Sequence, residues 1–463
     1  MLQKKYKRVI QLELNEISFP IIQNMITQNE LPNFKYINEN WSYLKTKSET
    51  EYNRIEPWVQ WVTAHTGKTF NEHQIFNLGD AHKLEHPQIW EVLSENNIES
   101  GIIGSMNVLR RETKGGIFFP DPWSIMGDVY PENLKPIWTL ISRRVQAHAT
   151  SKTTVGDLVK GMEACLRFRI PLHIYAKIAG QVIQQKMESK VKWRLAIIFD
   201  LFQAELFKYI VKTTNFGYYT LFLNAIAHYQ HHYWRNYSKD GFDPSIVYDD
   251  IRKQDDPISY GYKLYDKIVG DVVKMAKNDP DTLVVIASAL SQVPYTDKEE
   301  QGGMNYYRLI DHKQFAHKIG LSEEDGYQIY PMMSRDWQIK YNTEAAKQKA
   351  LNILHNLTVK GEPLFNVRED VESFIFIETN FTKGIEKNDL IVDNQGDKVA
   401  TFLEEFTNIA IKSGHHTGIG NLWMSDKNLK DYSFGKKIEL TDLYHHTLSA
   451  LGVDKEIQAM VKG

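Results

Sequence analysis

Residues 222–234 read FLNAIAHYQHHYW, which puts His228, His231 and His232 within five positions. Imidazoles at that density suit a metal site, because histidine is the commonest metal ligand. They equally suit an aromatic-rich helix whose histidines are half-buried and satisfied. On a helix beginning near Asn224, positions 224, 228 and 231 or 232 share one face, since residues three and four apart are neighbours. That face offers a two-point imidazole grip, with Asn224 or His232 in support. His231 and His232 are adjacent and point apart, so one of them joins His228 while the other packs or faces solvent. A second pair, His415 and His416, lies in SGHHTGIG, read as a loop whose glycines let the backbone approach a ligand closely. His73, His445 and His446 are read as structural.

Elements must bring these residues together. RVIQLELN (8–15) reads as a strand ending at Asn15-Glu16, and ISFPIIQNMI after it has helical spacing. PWVQWVTAHTGKTF (57–70) closes on Thr66-Gly67, as a loop entering a short helix would. ESGIIGSMN (99–107), YYTLFLN (218–224), DTLVVIASALSQ (281–292) and SFIFIET (373–379) read as strands, and 89–97 and 262–278 as helices. Strands alternating with helices imply an α/β fold with a mostly parallel sheet whose ligand site lies at the carboxyl ends of the strands. That rim would collect Asn15, Asn107, Asn224, His228, His231, Gln292, His415 and His416. Residues 128–215 are rich in Lys, Arg and Gln with helical periodicity and read as a helical insertion, or cap, leaving 1–127 and 216–463 as the α/β core.

Whole-chain totals narrow the classes. At 463 residues the chain exceeds what one core usually supports, and 42% hydrophobic with 24% charged residues fits a folded globular protein. A net charge of −3 announces no nucleic-acid partner. The single cysteine, Cys165, excludes an internal disulfide and any thiolate cluster, so a metal must be held by His, Asn and carboxylates. No stretch reaches the roughly 20 apolar residues that span a bilayer, and the amino terminus lacks a signal-peptide run, so a cytoplasmic location is expected. The segment 166–183 comes nearest to a membrane-facing one, but its charges and proline suggest a packed or peripheral helix.

Four stretches resemble the alkaline phosphatase superfamily, and within it the type I phosphodiesterase and nucleotide pyrophosphatase branch. RVIQLELNE resembles the first strand, whose terminal metal-binding Asp corresponds to Asn15. PWVQWVTAHTG resembles the loop bearing the Thr or Ser nucleophile, and DTLVVIASALSQ resembles the strand that runs into an Asp-His metal pair, here Ala289-Leu290. IELTDLYHHTLSALGV (438–453) resembles the carboxyl-terminal segment. The resemblance implies an alkaline-phosphatase-like core, a mostly parallel central sheet flanked by helices, carrying the helical insertion. It also implies a divalent metal, zinc or manganese, held by Asn15, His228, His231 and His416. Several of the carboxylates it implies are missing, so one ion would be held weakly or not at all unless Glu13, Glu16 or Glu56 supplies charge.

For the reaction, Thr63 and Glu56 are the catalytic candidates. An alkoxide needs a metal or base to activate it, whereas Glu56 is already ionised and can act as base or ligand. Asn107, Asn224, Gln292 and His415 are candidates for binding substrate, with Trp58, Trp61, Trp123, Tyr233 and Trp234 as aromatic walls suited to a sugar or base ring. The expected activity is hydrolysis or group transfer on a phosphate or sulfate ester, sugar-, glycan- or nucleotide-linked. The alternative is a degenerate member that binds partners through its helical insertion. Oligomeric state is not legible.

Overall fold

The computed structural model describes residues 6–453 apart from 52–53, 112, 123, 125–128, 146–154, 249, 332–334, 371–372 and 427–433. Trp123 lies outside the described residues. The first strand, β1 (Arg8–Leu14), is buried along nearly all its length because strands pair with it on both sides. Its side chains alternate in destination: Ile10, Leu12 and Leu14 enter one hydrophobic layer and Val9 the other. With β2 (Ser42–Lys47), β3 (Ser100–Ile103), β4 (Ile117–Phe119), β5 (Tyr218–Leu223) and β6 (Thr282–Ser288) it forms an eight-stranded sheet completed by Ile419–Met424 and Lys436–Glu439. The order is Lys436–Glu439, β2, Ile419–Met424, β6, β1, β5, β3, β4, and every strand runs parallel to its neighbours except Ile419–Met424. The expected mostly parallel α/β sheet is therefore present.

Helices cover both faces. On one lie α1 (Phe19–Thr27), α2 (Pro32–Asn40), α9 (Arg194–Thr213), α10 (Ala225–Tyr237) and α11 (Pro257–Asn278), packed on Leu12, Leu14, Leu221 and Ile286. On the other lie α3 (Pro57–Thr66), α5 (Ile89–Glu95) and the helix Asp442–Leu451, packed on Val9, Leu283 and Val285. The short α4 (Phe70–His73) follows α3 directly. PWVQWVTAHT is thus the helix itself rather than a loop before one, and Gly67 ends it in the left-handed conformation (φ 66°) that glycine adopts without strain.

Between β4 and β5 the described residues form α6 (Lys135–Val145), α7 (Val155–Arg167), α8 (Leu172–Met187) and α9. The 166–183 segment is two helices rather than one, because Pro171 forbids helical backbone at the residue before it. No described helix is long and apolar enough to cross a membrane.

Residues 304–406 do not join the eight-stranded sheet. They build separate sheets, including an antiparallel one ordered Phe365–Asp370, Phe374–Thr379, Asp336–Lys340, Gln328–Pro331, around their own core of Phe315, Trp337, Phe365, Ile377 and Phe402. SFIFIET, expected in the parallel sheet, belongs here. Its half-buried alternation suits an antiparallel sheet with one covered face, which a short apolar run does not announce by itself. SGHHTGIG also differs from expectation. Gly414–Thr417 is a strand paired antiparallel with β7 (Ser291–Pro294), setting His416 opposite Gln292 and His415 opposite Val293. In the next strand, a Cβ on Gly420 would lie 1.9 Å from the Ser288 carbonyl oxygen, so only glycine allows that close pairing.

Candidate metal centre

The carboxyl ends of β1, β5 and β6 and the paired strand β7 converge on Glu16. Just past β1, Glu16 takes a positive φ of 58°, a strained setting for a residue with a Cβ. Gln230 on α10 holds it there by donating from Nε2 to the Glu16 carbonyl at 2.7 Å, and is itself fixed by the Tyr262 hydroxyl at 2.8 Å. The Glu16 side chain is buried, and its Oε2 meets His231 Nε2 at 3.0 Å and His416 Nε2 at 3.1 Å. The two Nε2 atoms are 3.1 Å from each other.

Those three contacts share very few protons. His231 Nδ1 lies 3.3 Å from the Gly414 carbonyl, which only accepts, so in the neutral ring the proton sits on Nδ1 and Nε2 offers a lone pair. A carboxylate oxygen, a lone-pair nitrogen and His416 Nε2 therefore crowd one point. Burial would raise the Glu16 carboxyl, but the charges of His416 and His231 and their hydrogen bonds outweigh it and hold it far below the usual carboxylate range. Burial would lower His416; Glu16 and then Glu56 overcome it and raise the imidazole to about 9. His231 is lowered by burial against the opposing pull of Glu16.

The remaining Glu16 contacts are neutral donors. Asn15 Nδ2 donates to Oε1 at 2.9 Å, and the Gln292 amide donates to Oε2 and, at 3.0 Å, to the Ala227 carbonyl. Asn15 is otherwise engaged with Asn224 Oδ1 at 2.8 Å and Trp61 Nε1 at 2.9 Å. Glu56 stands on the other side of His416, with Oε2 3.6 Å from Nδ1. It stands at the N-cap position of α3 without a side-chain capping bond and is raised chiefly by desolvation, with His416 pulling the other way and Glu16 adding to the rise. Beyond it stand Glu378, Asp336, Arg335 and Lys412, the first three from the 304–406 body. Asp336 is raised to about 7 by burial against the pull of Arg335, and Lys412 is lowered to about 8 by burial and Arg335.

Several of the sequence-based candidates stand away from the atoms that converge on Glu16. His228 does not join His231 at Glu16: its ring packs on His232, centroids 4.3 Å apart. Asn15 supports Glu16 instead of standing among the converging donor atoms. Thr63 is buried inside α3, with Oγ1 3.2 Å from His73 Nε2, and does not reach the site. Asn107 is buried and committed to the backbone, accepting from Gly79 N at 3.0 Å and donating to the Trp58 and Asn77 carbonyls. Gln292 is fully buried behind Glu16. His415 points off the opposite face of its strand toward Tyr295, 5.4 Å between ring centres. Asn224 remains exposed at the rim beside Asn15. Glu13 is taken up beneath the sheet by His65 (2.8 Å), Gln11 (2.8 Å) and Ser105 (2.7 Å). Lys412, Arg335, Asp336 and Glu378 were missed, since charged residues in or beside ordinary strands carry no local signal. Among the described residues, Glu16, His231 and His416 are the one group of three such side chains placed to hold an ion.

No family model matches the chain, and no curated protein matches it. Solved structures do. The chain is similar to the phosphonoacetate hydrolase of Sinorhizobium meliloti 1021, solved with phosphonoformate, at 10% identity and TM-score 0.44 over 96% of both chains. It is similar to murine ectonucleotide pyrophosphatase/phosphodiesterase 5, solved as an inactive variant with AMP, at 11% identity and TM-score 0.43, over 96% of this chain and 95% of that one. Alkaline phosphatase from the Antarctic bacterium TAB5 matches at 11% identity and TM-score 0.41, over 98% of this chain and all of its own. At these identities and TM-scores the likeness concerns the course of the chain and carries nothing about its chemistry.

Proposed function

We propose that Glu16, His231 and His416 hold one divalent ion, zinc or manganese, and that the protein hydrolyses or transfers a phosphate or sulfate ester at that centre. One observation carries the reading: three donor atoms lie 3.0–3.1 Å from one another with too few protons to account for the contacts. Ligand atoms about 2.0–2.1 Å from an ion are about 2.9 Å apart when octahedral and about 3.3–3.4 Å when tetrahedral, so the spacing falls between the two edges. Two imidazoles and a carboxylate suit both ions and leave positions open.

A divalent ion held there supplies Lewis acidity toward an ester oxygen. The chain's own groups do the rest. Asn15 and Gln292 fix the Glu16 carboxylate, and the Gly414 carbonyl fixes the His231 tautomer. Glu56, raised by desolvation and adjoining His416, takes the proton of the attacking hydroxyl or returns one to the leaving oxygen. Asn224 meets a substrate oxygen from the exposed rim. The ester class rests on the four sequence stretches, and a nucleotide, sugar or glycan leaving group is the finer part of the same proposal.

Elemental mass spectrometry on protein purified without chelator tests the reading, with an ester panel run in parallel. The expected result is one ion per chain, lost in both His231→Ala and His416→Ala, and turnover lost in Glu56→Gln with the ion retained. A wild type that carries no ion and gains none on titration removes the metal centre. Retained ion with no turnover of any ester favours the alternative, a binding protein acting through residues 128–215.

A further inference from the structure

The helical insertion turns an apolar face outward. Helix α8 rests on the body through Ile174 and Gln181, whose amide reaches the Val191 carbonyl at 2.7 Å. On the opposite side, Leu172, Ala176, Ala179, Ile183 and Met187 follow one another at steps of four, three, four and four, so they form a single stripe. All five are exposed, Leu172 by 79%, Ile183 by 61% and Met187 by 83%. The stripe runs the length of a 16-residue helix, about 24 Å. Helix α7 repeats the pattern: Val159, Met162 and Leu166, three and four apart, are each more than half exposed. Large side chains at this density do not normally face water, and such patches mark interaction surfaces.

Charge selects the occupant. Residues 155–194 carry eight Lys and Arg (160, 167, 169, 177, 186, 190, 192, 194) against three acids (157, 163, 188), a net +5 within a chain whose total is −3. Lys160, Arg167, Arg169, Lys177 and Lys186 are exposed beside the two stripes. A second copy laid on this face would bring like charge against like. An anionic bilayer accepts both features: apolar side chains enter the acyl boundary while flanking lysines and arginines reach the headgroups. We infer that the outward faces of α7 and α8 dock this protein on anionic membrane surfaces, without crossing them.

Flotation of the full chain with lipid vesicles tests this. The wild type floats with phosphatidylcholine–phosphatidylglycerol vesicles, is released by high salt, and stays behind with phosphatidylcholine alone. Ile183→Glu combined with Leu172→Glu weakens binding about tenfold or more, and Lys177→Glu combined with Lys186→Glu weakens it to the mixed vesicles. All four side chains are exposed, so circular dichroism and the unfolding midpoint of each variant match the wild type, which separates lost binding from lost folding. Failure to float with anionic vesicles overturns the inference, as do stripe variants that float like the wild type. A dimer in light scattering that Ile183→Glu dissociates, without flotation, assigns the face to a second copy and overturns it too.

Discussion

Glu16 is held from several sides at once: Asn15 on one carboxylate oxygen, Gln292 and two imidazoles on the other, and Gln230 on its carbonyl. Groups that orient a metal ligand typically matter about 10–100-fold in metal affinity. Gln292→Ala is therefore expected to weaken the ion by about that factor while leaving one ion per chain at saturation, which chelator competition measures. His415→Ala and Thr63→Val are expected to leave ion content and affinity at wild-type levels, because His415 faces Tyr295 and Thr63 faces His73. A loss of ion in His415→Ala would mean the strand's two faces are assigned wrongly.

At the scale of elements, a buried carboxylate ties α9 to the start of α10. Asp200 on α9 accepts from the Asn224 and Ala225 amides at 3.1 and 2.8 Å and from the Tyr265 hydroxyl at 2.5 Å. It thus satisfies the free amides that begin α10, the helix carrying His231. Burial outweighs these donors and raises Asp200 from 3.8 to about 6. A carboxyl raised on folding binds its proton more tightly in the native state, so its contribution is full below pH 3.8 and lost as pH rises through about 6. The wild type is expected to lose about 2 kcal/mol relative to Asp200→Asn between pH 4 and pH 7. Unfolding midpoints of the two proteins across that range check it, and a pH-independent difference would refute it.

Across the whole molecule, two bodies with separate cores face each other over the site. Trp337 is fully buried among Phe365 and His312 in the 304–406 body, whereas Glu16, His231 and His416 hang from the α/β core and the strand paired with β7. Trp337→Ala is expected to cost about 3–5 kcal/mol locally. Hydrogen exchange should then accelerate in 304–406 while β1, β5 and β6 keep their protection. Uniform acceleration through both bodies would show that their cores are one cooperative unit.

How much of this was legible beforehand follows from the range of the forces involved. Strand and helix types in β1, β5, β6, α9 and α11 are written in local apolar periodicity, and so is the ending of β1 at Asn15-Glu16, where the polar residues begin. The sequence alone thus determined the α/β class, the rim at the strand ends, and the two histidine runs from which the centre is drawn. Which histidine of each run, and which carboxylate, depended on tertiary structure. His228 and His231 occupy the same broad helical face, and only the Gly414 strand beside α10 selects His231. His415 and His416 are equivalent in sequence until pairing with β7 sends them to opposite faces. Glu13 and Glu16 differ by a turn at the end of β1 that buries one under the sheet and strains the other into the site. Convergence of residues 16, 231 and 416 is set by strand order and by pairing between segments far apart in the chain, and local periodicity carries no record of that order.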